Sequence, residues 1–403
     1  MTLAYLIAGE SSGDVLGGRL MAALRARQPG MRFAGVGGER MAEQGLDSLF
    51  PMRELALMGL AEVLPNIRRL ARRLDQTTAD ITARRPAIIV TIDSPGFTMR
   101  VAERLRPLGI PLVHYVAPQL WGWRPGRVKK LRSRVDRILA LLPFEGAWFE
   151  QHGIGVEFVG HPVLESGLDQ GDGAAFRARH GVPPDERLVM VMPGSRRTEV
   201  SRLLPLFGGA LAGLPVRPVV PLAGPVEAAV RAATAGWARP PILLHGLAEK
   251  ADAFAACDIG LIKSGTSSLE CAVAGLPHIV AYRVNPITAA ILRRLVQVPH
   301  ASLVNLLAGR EVVPEFLQEA CTVANLAGAM RALLDGTPMP TARMRHRASP
   351  AAGVTASQDE QRAGFAAVLA MLHPPGLAPS AAAAEAVLAT LRAAPAAGLT
   401  APR

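Results

Sequence analysis

The strongest constraint on this chain is a rhythm that runs, stops and starts again. Short apolar runs at 3–8, 32–36, 87–92, 111–116, 137–142 and 158–160 alternate with helix-like stretches through the first half. A stretch rich in Gly, Asp and Pro follows at 168–185, where the pattern predicts a linker. The alternation then resumes at 188–192, 216–221, 241–244, 258–262 and 278–281. Strands separated by helices cannot pair as hairpins and need crossovers, so they form parallel sheets covered on both faces. The rhythm therefore predicts an α/β chain with two Rossmann-like, doubly wound parallel-sheet domains facing across a cleft, each with its active crevice at the carboxyl ends of the strands. A length of 403 residues suits two such cores. The expected bounds are 1–167 and 168–345, then a C-terminal helical segment at 346–373 and an Ala/Pro-rich tail at 374–403. That tail reads either as a loose extension or as one more helix over 381–392, with disorder over its last ten or so residues. A two-domain dehydrogenase shares this rhythm, but no Gly-x-Gly-x-x-Gly opens either half.

Composition removes several function classes. No apolar run approaches the ~20 residues of a membrane span, and the opening residues lack the basic region of a signal peptide. Three scattered cysteines give neither a disulfide framework nor a metal-ligand spacing, which points to a reduced, cytosolic setting. Net charge is +11, yet only four of the 44 basic residues are lysine, and no basic tract is interleaved with aromatics, so nucleic acid is not an expected partner. An anionic membrane surface or a phosphorylated substrate fits the charge. There is no Asp-x-Asp, His-Glu-x-x-His or Walker loop, so neither a metal nor another cofactor is expected.

Two stretches of the second half have the build of anion cradles. After the strand at 188–192, Pro193-Gly194-Ser195 makes a tight turn and Arg196, Arg197 and Glu199 open a helix. Free N–H groups, the helix dipole and a forked arginine meet an anion in such a turn. Lys263-Ser264-Gly265-Thr266 repeats the device, with Glu270 one turn further on as an acceptor for ribose hydroxyls. Simple Ser/Thr capping explains each turn alone; two in one domain favour a nucleotide.

In the first half, Asp93 stands where a buried strand gives way to Ser94-Pro95-Gly96-Phe97, the place of a general base or of a helix cap. Glu10, Ser12 and Asp14 lie on the equivalent first loop, for substrate contact or for capping. His114, Trp121 and Trp123 belong to a segment that offers an aromatic surface for sugar or acyl groups, or for core packing. The apolar segment 54–64 contains Met58 and precedes Arg68, Arg69, Arg72 and Arg73 at helical spacing. That pattern fits an interfacial or lipid-phosphate element, and equally a buried helix with a solvated face.

Taken in order, these stretches resemble one family over roughly residues 3–335, the lipid-A-disaccharide synthases. The matching residues are Ala8-Gly-Glu-Ser-Ser-Gly-Asp14, Leu49-Phe-Pro-Met52 with 54–60, Asp93-Ser-Pro-Gly-Phe97, His114-Tyr-Val-Ala-Pro118 with Trp121-Gly-Trp-Arg124, and Leu142-Pro-Phe-Glu145. Val159-Gly-His-Pro162, Pro193-Gly-Ser-Arg196 with Glu199, Ser264-Gly-Thr266 with Leu269-Glu270, and 303–314 complete the set. The resemblance implies the two-lobed B-type (GT-B) fold and an inverting, metal-independent glycosyltransferase. Its donor would be UDP-2,3-diacylglucosamine (UDP-diacylglucosamine) and its acceptor 2,3-diacylglucosamine 1-phosphate (lipid X). It implies Asp93 as the base and Gly194, Ser195, Arg196, Glu199, Ser264, Gly265, Thr266, Glu270 and Asn305 as the UDP and donor site. Glu10, Ser12, Asp14, Met58, His114, Trp121 and Trp123 are candidate cleft or acceptor residues.

The resemblance also implies a cytoplasmic enzyme, peripheral on the cytoplasmic face of the inner membrane, and allows a homodimer that exchanges the C-terminal helix. Gly96 and Thr98 replace the family's usual Asp and Asn, which is expected to loosen the loop around Asp93, and Lys263 replaces a small residue. A two-lobed UDP-sugar epimerase is the rival reading; it needs no acyl-binding surface.

Overall fold

The computed structural model describes residues 2–55, 60–120, 126, 128–222, 224–245, 249–286, 288–289, 298–337 and 357–393. The chain divides into two compact units, Met1–Pro162 with Leu372–Arg403, and Val163–Met371.

The first unit is built on six parallel strands: β1 (Leu3–Ala8), β2 (Arg32–Val36), β3 (Ile88–Ile92), β4 (Leu112–Tyr115), β5 (Arg137–Ala140) and β6 (Val156–Phe158). Every residue of β3 and β4 is buried, as strands covered on both faces require. Their order is β2-β1-β3-β4-β5-β6. From β1 the chain steps to β2 on one side, and β3 then lies on the other. The loops after β1 and β3 therefore flank the switch point where such sheets bind ligands.

The second unit is also a sheet of six parallel strands, in a different order: β7 (Arg187–Met192), β8 (Val216–Leu222), β9 (Ile242–His245), β10 (Ile259–Lys263), β11 (His278–Tyr282) and β12 (Glu315–Leu317). The order β12-β11-β10-β7-β8-β9 puts its switch point between β7 and β10. Both cradles predicted from sequence follow these two strands. The core behind them joins Val189, Val191 and Leu261 to Leu204 and Phe207 of the helix Arg197–Leu211. β12 was not anticipated, because three residues carry too little pattern to announce a strand.

Two expectations need correction. Residues 168–185 are not a linker. They contain the helix Gly173–Arg179, capped by the Asp172 carboxylate on the Ala175 N–H at 2.9 Å. A Cβ on Gly171 would stand 2.0 Å from the Ala251 carbonyl oxygen, and one on Gly173 2.6 Å from that of Ala255. These glycines serve close approach to the helix Lys250–Ala256, not flexibility.

The expected divisions 346–373 and 374–403 also differ from the structural ones. The helix Gln358–Leu372 falls in the second unit up to Met371, whereas the helix Pro379–Ala393 packs in the first unit against the helix Ser11–Arg27. Ala383, Ala384, Ala386 and Val387 are fully buried there, and Arg27 pairs with Glu385 at 2.6 Å. Alanine is the best helix former and lets helices approach closely, so the composition that reads as low complexity builds a packed helix. No helix among the described residues is long and apolar enough to cross a membrane.

Candidate functional site

At the switch point of the first unit the backbone is strained. Asp93 has φ +50°, Ser94 +45° and, at the end of the adjacent strand, Val116 +79°. For a β-branched residue that region is a true outlier, and such strain persists only where the surroundings impose it. Here they do. The Asp93 N–H donates to the Tyr115 carbonyl at 2.9 Å, and the Val116 N–H to that of Leu139 at 3.1 Å. The buried Thr98 hydroxyl reaches the carbonyls of Asp93 and Ser94 at 2.9 and 3.0 Å. Thr98 thus ties down the loop that its presence was expected to loosen, while Gly96 is exposed with nothing near its Cβ position.

The Ser94 side chain fills the space above Gly9, where a Cβ would stand 2.4 Å from its Oγ. Asp93 itself is mostly buried, and burial raises its carboxyl above the usual aspartate range, against a lowering by the Ser94 backbone N–H. Among the described residues, no cation is one of the groups acting on it. That is the environment of a base, since loss of solvation raises proton affinity.

The other first-unit candidates separate. Asp14 is buried, and its carboxylate accepts from the N–H groups of Gly38, Arg40 and Met41 at 2.7, 2.9 and 3.1 Å. It caps the helix Glu39–Glu43 instead of facing a ligand. Glu10 is half-buried at the N-cap of the helix Ser11–Arg27, and Ser12 is exposed on its first turn. Gly9-Glu10-Ser11-Ser12-Gly13 also matches the Gly-x-Ser-x-Gly pattern of a nucleophile elbow. Ser11 is not among the positive-φ residues, however, and no histidine bonds to it among the described residues.

His114 does not lie on an aromatic surface. It is fully buried in β4, its Nδ1 2.8 Å from Thr91 Oγ1, and burial lowers its pKa to about 4. Its Nε2 is buried without a partner among the described residues. Met58, Trp121 and Trp123 lie outside the described residues. Of the four arginines after the apolar segment, Arg73 grips Glu54 at 2.9 and 2.7 Å and lies over the Phe50 ring, and Arg69 is 4.0 Å from the same carboxylate. Arg68 and Arg72 are exposed, beside an exposed Ile67.

The second unit's switch point has the opposite character. Gly194 takes φ +107°, and a Cβ there would lie 2.2 Å from Glu199 Oε2, so glycine is required on both counts. Glu199 Oε2 accepts from the Arg196 N–H at 3.3 Å, capping the helix Arg197–Leu211. Its Oε1 takes Arg196 Nη1 and Lys263 Nζ, each at 3.1 Å. Ser195, Arg196 and Arg197 are exposed.

On the second loop Gly265 has φ +148° and Thr266 is exposed. The Ser264 hydroxyl turns inward to the Ala301 carbonyl at 2.6 Å, so its side chain is committed to the fold. Glu270 Oε1 holds Lys250 at 2.6 Å, which leaves Oε2 without a partner among the described residues.

Asn305 calls for a correction. It is wholly buried, its Nδ2 donates to the Val313 carbonyl and to Glu315 Oε1 at 2.8 Å, and its Oδ1 accepts from the N–H groups of Val312 and Val313 at 2.7 and 2.9 Å. A side chain so saturated shapes the 312–315 turn and has nothing left for a ligand. No local pattern signals Lys250 as the partner of Glu270 or the Lys263–Glu199 pair, because both join residues distant along the chain.

Comparison with known proteins agrees on one family. The model of the lipid-A-disaccharide synthetase family matches residues 4–365. The chain is 50% identical over 394 residues to the lipid-A-disaccharide synthase of Granulibacter bethesdensis, covering 95% of this chain and 97% of that one. It is 46% identical over 337 residues to that of Pseudomonas aeruginosa strain UCBPP-PA14, covering 82% and 89%. Among solved structures, UDP-GlcNAc 2-epimerase from Neisseria meningitidis superposes with a TM-score of 0.60 at 11% identity, covering 97% of this chain and 100% of that one. MurG from Acinetobacter baumannii superposes with a TM-score of 0.53 at 12% identity, covering 96% and 100%. At such identities these two share the fold, with its two parallel six-stranded sheets, and nothing more specific.

Proposed function

Because the chain belongs to the lipid-A-disaccharide synthase family and is a glycosyltransferase, we propose that it transfers 2,3-diacylglucosamine from UDP-2,3-diacylglucosamine to the 6-hydroxyl of lipid X. The products are the β-1,6-linked disaccharide 1-phosphate and UDP. The observation that carries the reaction type is Asp93: a mostly buried carboxylate of raised proton affinity, held by a strained backbone at the carboxyl end of β3.

In the proposed step the Asp93 carboxylate takes the proton of the acceptor's 6-hydroxyl. The freed oxygen attacks the donor's anomeric carbon from the face opposite the diphosphate. The C1–O bond breaks with its electron pair leaving on UDP, and the α-linked donor becomes a β-linkage. The negative charge that develops on the diphosphate needs cations and N–H donors, which the Gly194-Ser195-Arg196 and Ser264-Gly265-Thr266 turns supply. Glu199 contributes by holding Arg196, and the free oxygen of Glu270 suits a ribose hydroxyl. The Ser264 hydroxyl braces its own turn from inside, whereas Asn305 shapes the 312–315 turn and Asp14 braces Gly38–Met41 in the first unit.

Both substrates carry acyl chains, so the reading includes peripheral docking on the inner membrane's cytoplasmic face. Exposed Ile67, Arg68 and Arg72 favour the apolar segment and the helix Leu60–Arg84 as that element. Exchange of the C-terminal helix between two copies would first have to break its packing on the helix Ser11–Arg27.

Incubating purified protein with UDP-diacylglucosamine and lipid X tests the proposal. The disaccharide 1-phosphate should appear by mass, with a β-linkage by NMR. Release of 2-epimerised sugar from UDP-GlcNAc alone, without disaccharide from the acylated pair, would favour the epimerase reading instead.

A further inference from the structure

β10 ends on a lysine whose side chain does not run out into solvent. Lys263 immediately precedes the Ser264-Gly265-Thr266 turn and is only 18% exposed. Its Nζ lies 3.1 Å from Glu199 Oε1, 5.6 Å from the centroid of the Tyr282 ring, and 3.4 Å from the point where a Cβ on Gly265 would stand. The ammonium therefore sits over the open side of the β10 turn while reaching the carboxylate that caps the helix after β7.

The same oxygen of Glu199 takes Arg196 Nη1 at 3.1 Å. Two cations, one from each loop beside the switch point, converge on one carboxylate oxygen. In this cluster of described residues two cations meet one carboxylate at the ends of β7 and β10. An ammonium has three donors, and Glu199 occupies one of them. Arg196 is exposed, but the Lys263 ammonium is mostly shielded, and a shielded charge is worth more to an incoming anion than the same charge in open solvent.

We propose that Lys263 is a positioning and specificity residue that reads the diphosphate of the nucleotide donor. With Arg196 on the other loop it provides two cationic centres, and a group with two phosphates can meet both whereas a monophosphate can meet one. Glu199 holds the pair ready and prevents their mutual repulsion from splaying the loops. This inference rests on the nucleotide reading above and deepens it by naming which part of the nucleotide the lysine recognises.

The test is calorimetric titration of the full chain with UDP, UMP and uridine, for the wild type and for Lys263→Met and Lys263→Arg. Loss of one charge-assisted contact should weaken UDP binding about tenfold or more in Lys263→Met. UMP should lose less, uridine nothing, and Lys263→Arg should retain most of the UDP affinity. Unchanged UDP affinity in Lys263→Met would overturn the proposal, as would an equal loss for all three ligands, which is the mark of a merely structural lysine. A wild-type protein that binds uridine and UMP but gains nothing from the second phosphate would also overturn it. Wild-type protein that binds none of the three would instead overturn the nucleotide reading itself.

Discussion

Both units are six-stranded, doubly wound parallel sheets, but their strand orders differ and their switch points carry opposite chemistries. At the switch point of the first, a carboxylate stands mostly out of water on a strained backbone, with burial as the main influence on its proton affinity. At the switch point of the second, the turns are glycines at positive φ, and two cations share a carboxylate that is itself a cap. A base gains strength by losing solvation and losing cations; an anion site gains it by gathering both cations and N–H donors. One βα loop could not do both, because the cations that hold a diphosphate would depress the pKa of a neighbouring carboxylate. In the proposed function, dividing the tasks between two parallel-sheet units removes that conflict.

The largest expected effect comes from breaking the first half of this comparison. Asp93→Asn should lower kcat by about 10²–10⁴-fold, the span that general-base catalysis contributes. Because the aspartate must be ionised to act, the acid limb of wild-type kcat/KM against pH should lie above the ordinary aspartate range. The sign for stability is opposite. A carboxyl whose folded pKa is raised by burial costs stability once pH exceeds that pKa, so Asp93→Asn should melt at an equal or higher temperature at neutral pH.

Breaking the second half comes next. Arg196→Ala should cost about 10²–10³-fold in kcat/KM for the donor, as loss of one preorganised donor to developing charge does. The acid limb should stay where it is, since burial is the leading influence on the Asp93 carboxyl.

A smaller effect sharpens the link between strain and base. Thr98→Val, which removes the hydroxyl bonded to the carbonyls of Asp93 and Ser94, should lower kcat about tenfold and stability by about 1–3 kcal/mol. Thr98→Ser should restore most of both. Smallest of all, Glu385→Gln weakens the half-exposed pairs with Arg27 and Arg392, outside both switch points, and should shift stability by about 0–1 kcal/mol, with activity unchanged in steady-state assays.

Much of this arrangement was legible in the residues. Apolar runs such as Ile88–Ile92 state their burial outright, and Pro193-Gly194-Ser195 and Ser264-Gly265-Thr266 announce turns wherever they stand. The side-chain roles inside the loops were harder. Asp14 and Asp93 look alike as carboxylates following strands, but one is spent on three N–H groups of a neighbouring helix and the other is not. That difference depends on Gly38–Met41 folding back to it, which no local pattern encodes. The resemblance implies a ligand role for Asn305, while its saturated buried amide is visible only in three dimensions. The alanine-rich C-terminal helix, one of two readings of the tail over 381–392, is there as Pro379–Ala393, but its packing was not legible because its partner lies more than 300 residues earlier in the chain.

The central claim is that base and diphosphate site are separate pieces of machinery, and one paired measurement tests it most directly. UDP affinity and single-turnover rate should be measured side by side on Asp93→Asn and Arg196→Ala. The account predicts that Asp93→Asn binds UDP as tightly as the wild type while turning over about 10²–10⁴-fold more slowly. Arg196→Ala should lose UDP affinity. An Asp93→Asn protein that turns over normally, or that loses UDP binding along with activity, would contradict it.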